Sequence, residues 1–175
     1  MTMDFAPKPM PGVRFVPDWY KQQPGSVNDE EFIATVGASG STVKRCMPVF
    51  DAMTAGYIIG APCDIHLDAT DPNELKWSIP LGVRAIQPDM FAKHAPEQYQ
   101  NYPINPDDYH KQLLRIMPFW AVGTDPGYST LFMNPHHADE SPLWAFSGLV
   151  DTDKFVSDGH LSFLVKKNFK GVIKQ

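Results

Sequence analysis

The sequence predicts a mainly β fold, a distorted antiparallel β-sandwich that carries two or three short helices. Three observations predict it. Seventeen prolines and 12 glycines are scattered along the 175 residues, and proline interrupts helices but is tolerated at strand edges and turns. Two short apolar runs, Tyr128 to Met133 and His160 to Val165, lie beside turn signals at Asp125-Pro126-Gly127 and Ser157-Asp158-Gly159, the punctuation of antiparallel strands. Two more stretches, Asp64 to Ala69 and Glu74 to Ile79, alternate polar and apolar side chains, as a half-buried strand does.

In chain order, residues 1–28 read as an extended arm, with prolines at 7, 9, 11, 17 and 24 around the aromatic group Phe15, Trp19 and Tyr20. The arm either packs on its own domain or is exchanged with a neighbouring subunit. Asp18 favours a short helix from Pro17, because a carboxylate in the first turn meets the positive end of the helix dipole. Residues 29–175 read as a single β-rich domain, since a chain of this size can bury about 70% of its unfolded surface in one core. Asp29 to Val36 is a short amphipathic element, followed by the flexible turn GASGS. Pro48 to Thr54 reads as a short helix closed by Gly56, with a strand after it.

The alternation places Ile65 and Leu67 in the core, with His66 and Asp68 on the other side, and puts Leu75, Trp77 and Ile79 on one face. Residues 81–102 and 105–115 are expected to hold one exposed helical turn each, as decorations on a sheet. Asn105 caps the second and Pro106 takes its first position. His94 and Gln98 would share a helix face in the first. Ile116 to Val122 is expected as an edge or bulged strand because of Pro118. Gly148 to Val150 reads as a buried apolar strand that runs into Asp151.

The formal net charge is −5, with 15 basic residues spread thinly. That argues against a nucleic-acid partner, which needs a basic stripe to displace counterions from phosphates. No apolar run approaches the ~20 residues that cross a bilayer, and MTMDFAPKPM lacks the regions of a signal peptide. No membrane partner and no secretion are therefore expected. Cys46 and Cys63 pair only if their strands are neighbours; otherwise they are two reduced thiols.

The densest set of metal-ligating types is His136, His137, Asp139 and Glu140. Adjacent histidines on a strand point to opposite faces, so no metal and no cofactor are expected. There is no serine elbow, no cysteine set against a patterned histidine and no glycine-rich phosphate loop. Asp151 and Asp153 remain as catalytic candidates. A carboxylate at a strand end among apolar neighbours is a general base for water, or else the pair makes an Asp-Thr-Asp turn bonded to nearby amides.

The residues Pro126-Gly127-Tyr128 and Gly148-Leu149-Val150-Asp151, followed by Asp153 and Phe155, resemble motifs of the dUTPase-like β-clip fold, found in dUTPase and dCTP deaminase. Ala55-Gly56-Tyr57 is faintly similar to another. The resemblance covers about a third of the chain. It implies a uridine pocket in which Asp151 places the attacking water and Tyr128 or Phe155 stacks on a base. Met133-Asn134-Pro135-His136 stands where that family has its Arg-Ser-Gly phosphate motif, and the glycine-rich C-terminal arm is missing. The whole chain, above all KRCMPVFDAMTAGYII, PGYSTLF and SGLVDTD, also resembles a family of uncharacterised proteins of tailed phages, notably those of cyanobacteria and other marine hosts, and of bacteria.

The function expected first is therefore that of a non-enzymatic phage-type protein acting through subunit contacts, as a capsid, neck or tail component of a virion. Its partners would be further copies of the chain, a trimer among the forms considered, and other virion proteins, in the host cytoplasm or the virion. The alternative is a divergent deoxynucleotide-binding protein or hydrolase with Asp151 as base and Tyr128 or Phe155 against the ligand.

Overall fold

The computed structural model describes residues 7–27, 34, 40–86, 88–99, 101–103, 105–117, 119–137, 141–156 and 161–175. The protein is mainly β, with eleven strands, all paired antiparallel, and three α-helices among the described residues. It divides into two compact units, one made of Met1–Lys8, Ile59–Asn134 and Ser141–Gln175, the other of Pro9–Ile58 and Pro135–Glu140. The boundary expected at residue 28 lies outside the described residues, as does most of the element expected at 29–36.

In the smaller unit, β1 (Met10–Pro11) pairs with β2 (Tyr57–Ile58). A 3-10 turn at Gly12–Phe15 follows β1, and α1 (Asp18–Gln22) begins at the predicted place. Tyr20 is buried: its ring stacks on Phe50 at 5.9 Å, its hydroxyl donates to the Lys44 carbonyl, and the Lys44 ammonium lies over the ring at 4.7 Å. The predicted short helix is α2 (Met47–Thr54), and Gly56, at φ 70°, turns the chain into β2 in a conformation few other residues adopt.

The larger unit holds one core fed by two sheets. In the three-stranded sheet, β3 (Ile65–Asp68) lies between β11 (Lys170–Ile173) and β4 (Lys76–Ser78). Ile65 and Leu67 are buried while His66 is exposed, and Leu75, Trp77 and Ile79 turn to the same cluster, as the alternation predicts. Asp68 opposes Lys170 across the ladder, with an ion pair of 2.8 Å, and Asp64 meets Lys174 at 2.6 Å. The Lys170 hydrogen bond, helped by Thr70, holds the Asp68 carboxyl far below the usual carboxylate range, and the Lys174 hydrogen bond lowers Asp64.

The four-stranded sheet runs β5 (Phe91–His94), β6 (Leu113–Ile116), β10 (Leu161–Val165), β8 (Leu143–Ala145). Phe91, Leu114, Ile116, Leu143 and Val165 join Ile65 and Leu75 in one cluster, and the Trp77 and Phe91 rings sit 5.1 Å apart. One core drawn from two antiparallel sheets is a sandwich-like arrangement.

Three expectations are corrected here. The 105–115 stretch does hold the expected turn, at residues 106–108 with the Asn105 carboxamide accepting the Asp107 amide, but it is no decoration, since from Leu113 it forms β6, a central strand. Leu113, Leu114 and Ile116 are buried on both faces of the sheet, so burial overrides the helical preference of leucine. The strand expected at 116–122 ends at Ile116, and Pro118 lies outside the described residues. In the 81–102 stretch, the 3-10 turn Pro96–Tyr99 is joined by α3 (Leu81–Ile86) and by β5.

Candidate functional site

Two short strands make a ribbon in the larger unit: β7 (Thr130–Phe132) pairs with β9 (Gly148–Val150), with Leu131 opposite Leu149. Alternation gives the ribbon two faces. Phe132, Gly148 and Val150 line a groove of about 650 Å3, to which Phe146 and Phe155 also contribute. Leu131 and Leu149 lie on the other face, 55% and 71% exposed. The Gly148–Val150 strand is therefore exposed rather than buried, because it sits in a two-stranded ribbon and not in the core sheets.

Asp151 continues the outward side. Its carboxylate accepts the Ser129 hydroxyl at 2.7 Å and lies 3.8 Å from the Lys154 ammonium, while its carbonyl accepts the Lys154 and Phe155 amides at 3.0 and 2.8 Å. Asp153 accepts the Gly127 amide at 2.9 Å, and Gly127 has φ 89°. Asp153 thus fastens the turn after β9 to the Asp125-Pro126-Gly127 turn, and Asp151 fastens it to Ser129, just before β7. Tyr128 is 66% and Phe155 62% exposed, and of the four candidate residues Phe155 lines the groove.

Thr152, which the sequence reading passed over, faces inward and is 2% exposed. Its hydroxyl oxygen lies 2.8 Å from those of both Thr124 and Thr130, and the Thr124 hydroxyl donates to the Tyr128 carbonyl at 2.8 Å. A hydroxyl has one proton to give, so the direction follows: Thr130 donates to Thr152, Thr152 to Thr124, and Thr124 to Tyr128. The signal was present in the parity, since a strand that puts Leu149 outward also puts Asp151 outward and residue 152 inward.

At one end of the groove His94 and Gln98 do meet, His94 Nδ1 lying 3.2 Å from Gln98 Oε1. They do so without sharing a helix: His94 ends β5, and Gln98 bends back from the 3-10 turn to accept the Ala95 amide at 2.8 Å.

A second cavity in the same unit, of about 430 Å3, has three tyrosine walls, Tyr99, Tyr102 and Tyr109, and two cations, Lys111 and Lys167. Buried His110 lines it with both ring nitrogens engaged, Nε2 2.9 Å from the Asp71 carbonyl and Nδ1 accepting the Gln112 amide at 3.0 Å. The Tyr99 hydroxyl donates to the Lys111 carbonyl, and burial pushes its phenol above the usual value.

His136 and His137 are both exposed, with ring centres 6.2 Å apart, and the His137 carbonyl accepts the Trp19 indole N–H at 3.0 Å. Asp139 and Glu140 lie outside the described residues, among which no group of three or more metal-ligating side chains occurs. Cys46 is exposed and Cys63 buried, both as free thiols, and burial pushes the Cys63 thiol up. No helix among the described residues is long and apolar enough to cross a membrane. Compared with known proteins, the chain matches no family model, no curated protein and no solved structure.

Proposed function

We propose that the protein works through contacts with further copies of itself, without a catalytic step, as an assembly component of the kind found in phage capsids, necks or tails. The observation that carries this reading is the β7–β9 ribbon. Leu131 and Leu149 form an exposed apolar cross-strand pair, and each strand leaves one edge unpaired among the described strands. Natural proteins blunt such edges with charge, proline or a cover. Thr130–Phe132 and Gly148–Val150 carry neither a charge nor a proline. A second chain that pairs with this edge would satisfy its backbone groups and cover its leucines. The two carboxylates that could have served chemistry are engaged in holding turns, which also favours a binding role. Tyr20 is spent inside its own unit, so the ribbon is a better contact than the arm.

Sedimentation tests the reading. The unmodified chain is expected as a defined oligomer, and Leu131→Glu with Leu149→Glu as a monomer that keeps its fold by circular dichroism. A monomer from the unmodified chain at high concentration overturns it.

A second reading, a divergent dUTPase-like deoxynucleotide-binding protein or hydrolase, is favoured by Phe155, Phe132 and Phe146 around a groove of about 650 Å3, a size that suits a small ligand. It expects a deoxynucleotide to raise the melting temperature by mass action, an effect lost in Phe155→Ala. Any turnover would be abolished in Asp151→Asn; turnover that survives this change removes Asp151 as the base.

A further inference from the structure

We propose that the tyrosine-walled cavity is a binding site for a small planar anion of the nucleoside 5′-monophosphate class. It is argued apart from both readings: neither Asp151 nor Phe155 lines this cavity, although Tyr99 lines both it and the groove. Its volume of about 430 Å3 lies in the range of small-ligand sites.

The chemistry of the walls selects the ligand. Tyr99, Tyr102 and Tyr109 offer aromatic surface, and Tyr102 is held by the Phe146 ring at 4.5 Å between centres. Aromatic surface of this kind favours a flat ring system, which stacks on it whatever its ring substituents. Two ammonium groups stand at the same cavity. Lys111 Nζ donates to the Asn73 side-chain oxygen at 2.6 Å, and Lys167 Nζ to the Pro106 carbonyl at 3.3 Å. Both acceptors are uncharged, and among the described residues no ion pair involves either lysine. Each ammonium carries three donors, so donors are left over to face a ligand.

Charge decides the sign of that ligand. The chain carries a net charge of −5, yet among the described residues no aspartate or glutamate lines this cavity, Glu97 acting on Tyr99 only from outside the lining. Two cations without an ion-pair partner among the described residues, beside an aromatic wall, are complementary to an anion. Inorganic phosphate would leave the rings uncovered, and an uncharged ring would leave the ammonium groups unmet. A molecule with a ring and a phosphate satisfies both.

The site is also held in place before a ligand arrives. The Tyr99 hydroxyl fixes the Lys111 carbonyl and Asn73 fixes its ammonium, while His110 next to Lys111 is pinned through both nitrogens. Lysines held this way lose less freedom on binding than free surface lysines.

Isothermal titration of the full chain with adenosine and thymidine 5′-monophosphates tests the proposal, with the matching nucleosides and inorganic phosphate as separate arms. At least one monophosphate should bind saturably, and about tenfold more tightly than its nucleoside or phosphate. Lys111→Met and Lys167→Met should each weaken binding about tenfold, the scale of one charge-assisted hydrogen bond. Lys111→Arg should retain part of the affinity, and Phe155→Ala should leave it unchanged. Circular dichroism of every variant separates lost binding from lost folding. The proposal is overturned if no monophosphate saturates at millimolar concentration, or if binding survives both methionine variants. It is equally overturned if Phe155→Ala abolishes binding, which would place the ligand in the other groove.

Discussion

Thr130 and Thr152 are joined hydroxyl to hydroxyl at 2.8 Å, at the point where the β7–β9 ribbon meets the turn that follows it. The bond is the first step of a directed chain that ends on the Tyr128 carbonyl. Because Thr152 is 2% exposed, water cannot replace what it supplies. Thr152→Val keeps the shape and removes both bonds, so a loss of about 1–3 kcal/mol is expected in urea unfolding. Thr152→Ser, which keeps the hydroxyl, should recover most of it. Equal stability of the valine variant and the unmodified chain would contradict the inferred chain of bonds.

The opposite result is expected on the outer face of the same ribbon. Leu131→Glu and Leu149→Glu alter exposed side chains away from the core, and such substitutions stay within about 0.5 kcal/mol. Their effect should fall on the mass in solution, with an unfolding midpoint equal to that of the unmodified chain diluted until it too is a monomer. A large drop in stability instead would mean that the leucines pack within the chain, and the ribbon would lose its standing as a contact surface.

Stability should also depend on acid through the three-stranded sheet. Asp68 has its folded pKa lowered by Lys170, and Asp64 by Lys174. A lowered folded value means that the native state holds the proton less tightly than the unfolded state does. The contribution is therefore present above the ordinary value of 3.8 and is lost as the pH falls through the lower folded value. Asp68→Asn should melt below the unmodified chain at pH 7, and the gap should close as the pH drops below 4. Lys170 is raised by the same partner, so its contribution holds below 10.5 and disappears as the pH rises past its folded value. A gap that stays constant from pH 7 to pH 2 would show that the pair does not couple to folding.

How far the sequence could be read follows from what each element depends on. Ile65, Leu67, Leu75 and Trp77 were legible because one side of their sheet is core and the other is not, so the pattern alternates. The Leu113–Ile116 strand was not, because burial on both faces erases the alternation and leaves an apolar run that a helix could equally explain. Phe91–His94 was hidden by its polar end, where Lys93 and His94 sit on an edge strand. At the candidate site the turn chemistry of Pro126-Gly127 and of Asp151 and Asp153 could be read, since it is local. The inward place of Thr152 could be read from parity, but its partners Thr124 and Thr130 could not, because they are brought to it by the pairing of two separate strands. The cavity of Tyr99, Tyr109, Lys111 and Lys167 depends on four segments of the larger unit, among them residues 72–73 and 167, that no local pattern connects.

Close backbone approach gives the last expectation, in the smaller unit. A Cβ on Gly12 would lie 2.9 Å from the Thr54 carbonyl oxygen and 3.1 Å from that of Ala55, both backbone atoms at the end of α2. Gly12 also donates its amide to the Gly56 carbonyl at 2.9 Å, so it cannot back away without losing that bond. Gly12→Ala must therefore push the β1–β2 pair from the helix, at about 1–3 kcal/mol, the usual cost of forced overpacking. Gly148, whose added Cβ would meet nothing within 4 Å, is the control. Gly148→Ala should change stability little, although the dUTPase-like resemblance places it at the head of a motif. If Gly12→Ala is tolerated as well as Gly148→Ala in thermal unfolding, the helix end does not pack against Gly12 as closely as described.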